Sequence, residues 1–205
     1  MTIVPSVIAK DQAELTRRLA IIPKTVKRIQ LDVMDGVFVK ARSLDFDFDL
    51  PKRDVVWEAD LMMADPKPWI ERNASKVDVI IVHLTGEDLG LALALINKKG
   101  KRTGIALDPD TLAEAVRDEL GFVDHATVMT VVPGGYGAPF IQDSLEKVRR
   151  IRRWYPDLDI EVDGGMSDKT LPLAKQAGAN LFVAGSFIQN AKDPLMALKR
   201  LEALL

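Results

Sequence analysis

Four aspartates, Asp32, Asp35, Asp60 and Asp163, stand at or just past the ends of short apolar runs. An aspartate in that place is often a helix cap, a reading open to Asp35 and also to Asp65. Asp32 differs. It interrupts the apolar run 29–34, and in an extended chain Leu31 and Val33 point to the opposite side. Asp163 follows Ile160-Glu161-Val162 in the same way. Two carboxylates that approach a substrate from opposite sides suit removal of a proton on one face and its return on the other. A proton beside a ketone is acidic enough for this only where the enediolate oxygen is stabilised. A metal ion is one means of doing so.

A second chemical signal is glycine. Pro133-Gly134-Gly135-Tyr136-Gly137, Asp163-Gly164-Gly165 and Ala184-Gly185-Ser186 each close an apolar run. Glycine lets backbone N–H groups approach a phosphate closely, and a short helix starting near Ser186 would add its positive end. Any one of these segments could be a plain tight turn. Three at matching strand ends point to a phosphate site.

These residues need elements that bring them to one face. The predicted strands are Ile3–Ile8, Arg28–Val33, Val55–Met62, Val77–Leu84, Arg102–Leu107, Ala126–Val131, Asp159–Val162 and Leu181–Ala184. Helical spacing covers Gln12–Ile22, Pro66–Ser75, Leu89–Lys99, Thr111–Leu120, Ile141–Trp154, Lys169–Ala177 and Pro194–Leu204. Continuous apolar strands alternating with helices imply a parallel sheet. Eight such strands in 205 residues predict an α/β fold, a single-domain (β/α)8 TIM barrel over residues 1–205. An open doubly wound sheet is the alternative, but no glycine-rich turn follows the first strand. One unit is irregular. Ser43–Leu50, SLDFDFDL, alternates with period two and Pro51 follows, so helix two is predicted to be short or missing. Phe46 and Phe48 are predicted to be exposed, either covering the barrel or meeting a partner subunit. A homo-oligomer is expected on that basis.

The net charge of -2, from 28 basic and 30 acidic residues, argues against nucleic acid as a partner. With no cysteine, disulfides and thiolate metal sites are excluded. The start, MTIVPSVIAKDQ, lacks the pattern of a signal peptide, and no apolar run approaches the roughly 20 residues that span a bilayer. A cytoplasmic protein with no membrane partner is the expectation.

At this point the chain resembles the ribulose-phosphate 3-epimerase family over nearly its whole length. Val4-Pro5-Ser6, Leu31-Asp32-Val33-Met34-Asp35-Gly36, Val82-His83, the stretch MTVVPGGYGAPFI from Met129, Glu161-Val162-Asp163-Gly164-Gly165 and Val183-Ala184-Gly185-Ser186 carry the resemblance. It implies a carbohydrate-metabolism isomerase of the pentose phosphates that interconverts D-ribulose 5-phosphate and D-xylulose 5-phosphate through an enediolate. It makes Asp32 and Asp163 the acid/base pair. Met34, Met62 and Met129 become a cap over the reacting carbons, where the residues alone suggest ordinary barrel core. Ser6 becomes a substrate contact. Gly134, Gly135, Gly137, Gly164, Gly165, Gly185 and Ser186 become the phosphate clamp.

The departures concern the metal. Family members hold an ion with two histidines and the two aspartates. Here those histidine positions are Gln30 and Asp60. Of the two histidines in the chain, His83 matches a residue that is not a ligand, and His125 falls near the start of strand six. What remains is an all-oxygen set, Gln30, Asp32, Asp60 and Asp163. Such a set favours Mg or Mn over Zn, if the site is not metal-free. After strand two, Val37-Phe38-Val39-Lys40-Ala41 replaces the usual His-Phe-Val-Pro-Asn, and Val132 and Ala138 also differ from the family pattern. Two other readings follow. One is a sugar-phosphate-binding barrel that has lost catalysis. The other is a Mg-dependent lyase similar to hexulose-phosphate synthases and 3-keto-gulonate-phosphate decarboxylases. Asp60 and Asp65 fit their Asp-x-Lys-x-x-Asp motif, but Met62 stands in place of its lysine.

Overall fold

The computed structural model describes residues 1–84 and 89–205. Its strands are β1 (Thr2–Val4), β2 (Ser6–Val7), β3 (Arg28–Asp35), β4 (Arg42–Ser43), β5 (Val56–Met62), β6 (Val79–His83), β7 (Arg102–Leu107), β8 (His125–Met129), β9 (Asp159–Asp163) and β10 (Leu181–Val183). They form one sheet in the order β1-β10-β9-β8-β7-β6-β5-β3-β2, with β4 antiparallel to β3 and every other pair parallel. Both ends of that order belong to one stretch of chain. Only Pro5 separates β1 from β2, because proline has no N–H to give the ladder. Its carbonyl still accepts from the Gln30 N–H at 3.0 Å. The sheet is therefore a closed barrel with β1 and β2 as one of eight staves, as predicted.

The helices on the outer face are α1 (Gln12–Ile21), α2 (Lys67–Asn73), α3 (Leu89–Lys98), α4 (Leu145–Trp154), α5 (Leu171–Ala177), α6 (Ser186–Gln189) and α7 (Pro194–Glu202). None among the described residues is long and apolar enough to cross a membrane. The helix predicted over Thr111–Leu120 is instead two 3₁₀ turns, Ala113–Val116 and Glu119–Phe122. Buried Ala113 and Val116 are three apart, which suits a 3₁₀ turn, and Leu112 is exposed. At α1 the Asp11 carboxylate accepts from the Glu14 N–H at 2.7 Å, and Glu14 Oε2 accepts from the Lys10 N–H at 3.1 Å. This reciprocal capping makes Asp11→Ala cost about 1 kcal/mol, measurable by urea denaturation at neutral pH.

Between β3 and β5 there is no helix. The segment from Asp45 to Leu50 runs without helix after a left-handed Leu44 (φ +52°). Leu44 and Phe48 are buried and Phe46 and Leu50 are half-buried, while Asp45, Asp47 and Asp49 face water. Period two is thus realised as an apolar edge turned inward. Phe48 is 1% exposed and stacks on Trp69 with centroids 6.4 Å apart. Phe46 packs edge-on against Phe48 at 6.2 Å. The expectation of exposed rings is thereby corrected for Phe48, while Phe46 is half-buried. The two rings cover the barrel wall in the place of helix two.

Candidate active site

Alternation along β3 sends Ile29, Leu31 and Val33 into the core shared with the helices. Arg28, Gln30, Asp32 and Met34 take the other face. That face is the barrel interior, because Gln30 reaches Asp163 at 2.7 Å although β1, β2 and β10 lie between β3 and β9. The register continues the interior face on β5 with Glu58, Asp60 and Met62, and on β9 with Glu161 and Asp163. Predicted residues from these three strands, Gln30, Asp32, Met34, Asp60, Met62 and Asp163, therefore converge toward the C-terminal mouth, where barrels of this kind carry their chemistry.

Asp32 and Asp163 approach from opposite walls, with Gln30 between them. Gln30 Nε2 donates to Asp32 Oδ1 at 2.8 Å and to Asp163 Oδ2 at 2.7 Å. Burial pushes the Asp32 pKa well above the ordinary carboxylate range, and the neighbouring Asp163 adds to the rise. Hydrogen bonds from Gln30 and Ser6 offset part of it. Burial, reinforced by the Asp60 charge, pushes Asp163 up to about 7. Near neutral pH Asp163 is therefore poised between its protonated and ionised forms.

Asp60 lies deeper, fully buried, and His83 clamps it. His83 Nε2 is 3.0 Å from Asp60 Oδ1, and Nδ1 is 3.0 Å from Asp108 Oδ1. Burial alone would lower the His83 pKa, but the two carboxylates outweigh it and raise it to about 10. The ring is therefore an imidazolium at neutral pH. Asp32, Asp60 and Asp163 each offer an oxygen within 4.8 Å of the others, close enough to hold a metal ion. Asp60 Oδ2 and Gln30 Oε1 are buried without partners.

Above these groups lies a cavity lined by Ser6, Asp32, Met34, Met62, Met129, Asp163 and Ser186 and by Gly134, Gly135, Gly137, Gly164, Gly165 and Gly185. The structure thus brings every residue expected to contact substrate to one cavity, with Gln30 and Asp60 beneath. Gly164 holds φ +111°, and a side chain there would lie 2.4 Å from Val131. α6 begins at Ser186 on the cavity wall. Asp35 stays outside the acidic group. Its carboxylate accepts from the N–H groups of Val37, Phe38 and Ala64, each at 2.8 Å, and so ties two loops together. Asp65 is exposed and pairs with Lys67.

Two further residues were not anticipated. Tyr136 folds over the cavity, donating to the Ser6 carbonyl at 2.8 Å and accepting from the Ile8 N–H at 3.2 Å. Its place in a glycine-rich loop was the available signal. Asp108, just past β7, holds His83; its position at a strand end was a signal of the same kind as for Asp60. Below the site, the barrel floor carries an Arg28–Glu58 ion pair, with Glu161 accepting from Thr127 at 2.9 Å. Burial, with Glu58 beside it, raises the Glu161 pKa well above the usual range. His125 joins this floor, its pKa driven down to about 3 by burial and by Arg28. Gly104 leaves room for its ring, since a Cβ there would meet His125 at 2.6 Å.

Fold and site together define a (β/α)8-barrel enzyme with a buried acidic centre at its mouth. Residues 2–189 match the model of the ribulose-phosphate 3 epimerase family. A ribulose-phosphate 3-epimerase of Rhodobacter capsulatus is 36% identical, over 90% of this chain and 84% of its own. One of Bacillus subtilis is 31% identical over 97% of both. The chain belongs to the ribulose-phosphate 3-epimerase family, whose curated relatives are isomerases. Among solved structures, a 3-hexulose-6-phosphate synthase aligns over 100% of both chains with a TM-score of 0.73 and 16% identity. KGPDC from Streptococcus mutans in complex with D-R5P aligns with a TM-score of 0.72 and 15% identity, covering 99% of this chain and 96% of that one. These two likenesses concern the fold alone.

Proposed function

We propose that the protein epimerises a ketose phosphate at C3, interconverting D-ribulose 5-phosphate and D-xylulose 5-phosphate. The observation that carries this reading is the pair of aspartates, buried Asp32 and half-buried Asp163, on opposite walls of a glycine-lined cavity. One aspartate takes the C3 proton as base, and the electron pair moves onto the C2 carbonyl oxygen to give the enediolate. The other, protonated, returns a proton to the opposite face of C3. The raised pKa values of both groups favour the half-protonated pair that this requires. Met34, Met62 and Met129 wall the reacting carbons without competing for protons. The glycine turns and Ser186 bind the phosphate. The lyase reading lacks its lysine at Met62, and its second aspartate, Asp65, is exposed.

Three carboxylates match Mg or Mn better than Zn. The fit is incomplete, because Gln30 turns donor hydrogens toward Asp32 and Asp163, and His83 occupies one oxygen of Asp60.

The test is incubation with D-ribulose 5-phosphate in deuterated water, with and without Mn or Mg. Solvent deuterium at C3 of both ketoses is expected. No exchange under any condition, with inorganic phosphate still raising Tm, would instead identify a binding-only barrel. The phosphate side has its own check. A Cβ at Gly185 would lie 2.6 Å from both Ser6 Oγ and the Tyr136 ring. Gly185→Ala should therefore weaken substrate binding about tenfold, seen as a raised KM.

A further inference from the structure

We propose that Gln30 takes the place of a divalent cation in this site, its amide hydrogens tying the two acid/base aspartates together, so that the protein works without a metal ion. The acid/base roles rest on the epimerase reading; the metal question does not. A glutamine amide nitrogen carries two hydrogens, and both are used, at 2.8 Å to Asp32 Oδ1 and at 2.7 Å to Asp163 Oδ2. A cation held by Asp32 Oδ1 and Asp163 Oδ2 would have to displace both of these hydrogens. Turning the amide over would let its oxygen accept from the protonated aspartate alone and set it against the ionised one. It would also leave the NH2 group in the buried place where Oε1 now has no partner.

One oxygen of the third carboxylate is held as well, while Asp60 Oδ2 keeps no partner. Asp60 Oδ1 faces His83 Nε2, and the other ring nitrogen faces Asp108, so both nitrogens are called on as donors. The His83 ring thus holds Asp60 and Asp108 together by hydrogen bonds from within the chain. Gln30 also fixes where a transferred proton can reside. Asp32 Oδ1 and Asp163 Oδ2 are acceptors of its hydrogens, so the mobile proton is carried on Asp32 Oδ2 or Asp163 Oδ1. Gln30 is thus a positioning residue for both aspartates at once.

The experiment joins metal analysis of the purified protein, calorimetric titration with Mn, and C3 deuterium exchange before and after dialysis against EDTA. Wild type is expected to hold substoichiometric metal, to give no binding heat with Mn, and to exchange equally in EDTA. Gln30→Glu replaces donors by an acceptor. It should acquire a Mn-binding heat, with exchange that EDTA abolishes and Mn restores. Gln30→Met keeps the length without hydrogens. It should lose about 10²-fold in kcat with KM little changed, and Mn should not rescue it. One equivalent of Mn or Mg on wild type, with exchange lost in EDTA and regained with Mn, would overturn the inference and leave the epimerase intact. If wild type exchanges no deuterium under any condition, the epimerase reading falls, and calorimetry still decides. Mn heat with wild type overturns the inference, whereas heat with Gln30→Glu alone supports it.

Discussion

Asp163→Asn, like Asp32→Asn, is expected to lower C3 exchange and turnover by about 10²–10⁴-fold. Asparagine keeps the size of the side chain and an oxygen that can still accept from Gln30. It can neither take nor give a proton at neutral pH. An Asp163→Asn variant with full activity would sink the two-base mechanism. The same substitution should not cost stability, and the sign follows from the pKa. Burial raises Asp163 from an ordinary 3.8 to about 7. A carboxyl whose folded pKa is raised contributes stability that is complete below its unfolded value and is lost as pH climbs through the folded one. Above about pH 7 the native chain therefore carries a buried charge that asparagine removes. Asp163→Asn should melt several degrees above the parent at pH 8, and the gap should close toward pH 5. Circular dichroism melts at the two pH values would show it. A variant that melts lower at pH 8 would mean that the carboxylate is compensated by more than Gln30.

Arg28→Met should have the largest effect on stability. Arg28 pairs with Glu58 inside the barrel floor, where Glu58 and Glu161 are both fully buried. Removing the one guanidinium leaves a buried carboxylate without a cation, a loss of about 3–5 kcal/mol. In a chain of this size that lowers Tm by roughly 10 °C or more. A control separates charge from shape. Combining Arg28→Met with Glu58→Leu removes both charges and should recover much of the loss. If the double variant is as unstable as the single one, packing of the Arg28 stem, and not the ion pair, holds the floor. Neither variant touches the cavity, so residual folded protein should retain its KM.

Much of this was legible in the sequence because the rules involved are local. Alternating apolar runs and helical spacing predict the staves and most helices, since a period of two or of 3.6 is visible within ten residues. SLDFDFDL could be read as non-helical for the same reason. The direction its rings take could not, because Phe48 is buried by Trp69 from a helix 21 residues further on. The 3₁₀ turns at 113–122 were missed because a helical pattern and two tight turns share spacing.

The sequence by itself determined the barrel, the glycine-rich mouth and the two aspartates, each marked by residue type at a strand end. Only the tertiary structure decided what those groups hold. Gln30 reads from the sequence as an oxygen ligand that replaces a histidine; in the barrel its nitrogen bridges two aspartates, one of them 133 residues away. Asp60 reads as a ligand, and it is clamped by His83, a residue with no assigned role until β5 and β6 align. The physical reason is closure. Contacts across the interior depend on which stave faces which and in what register, and no local stretch of chain carries that information. The direction of a single amide then sets whether the centre of the site is built to receive a cation or already contains its substitute.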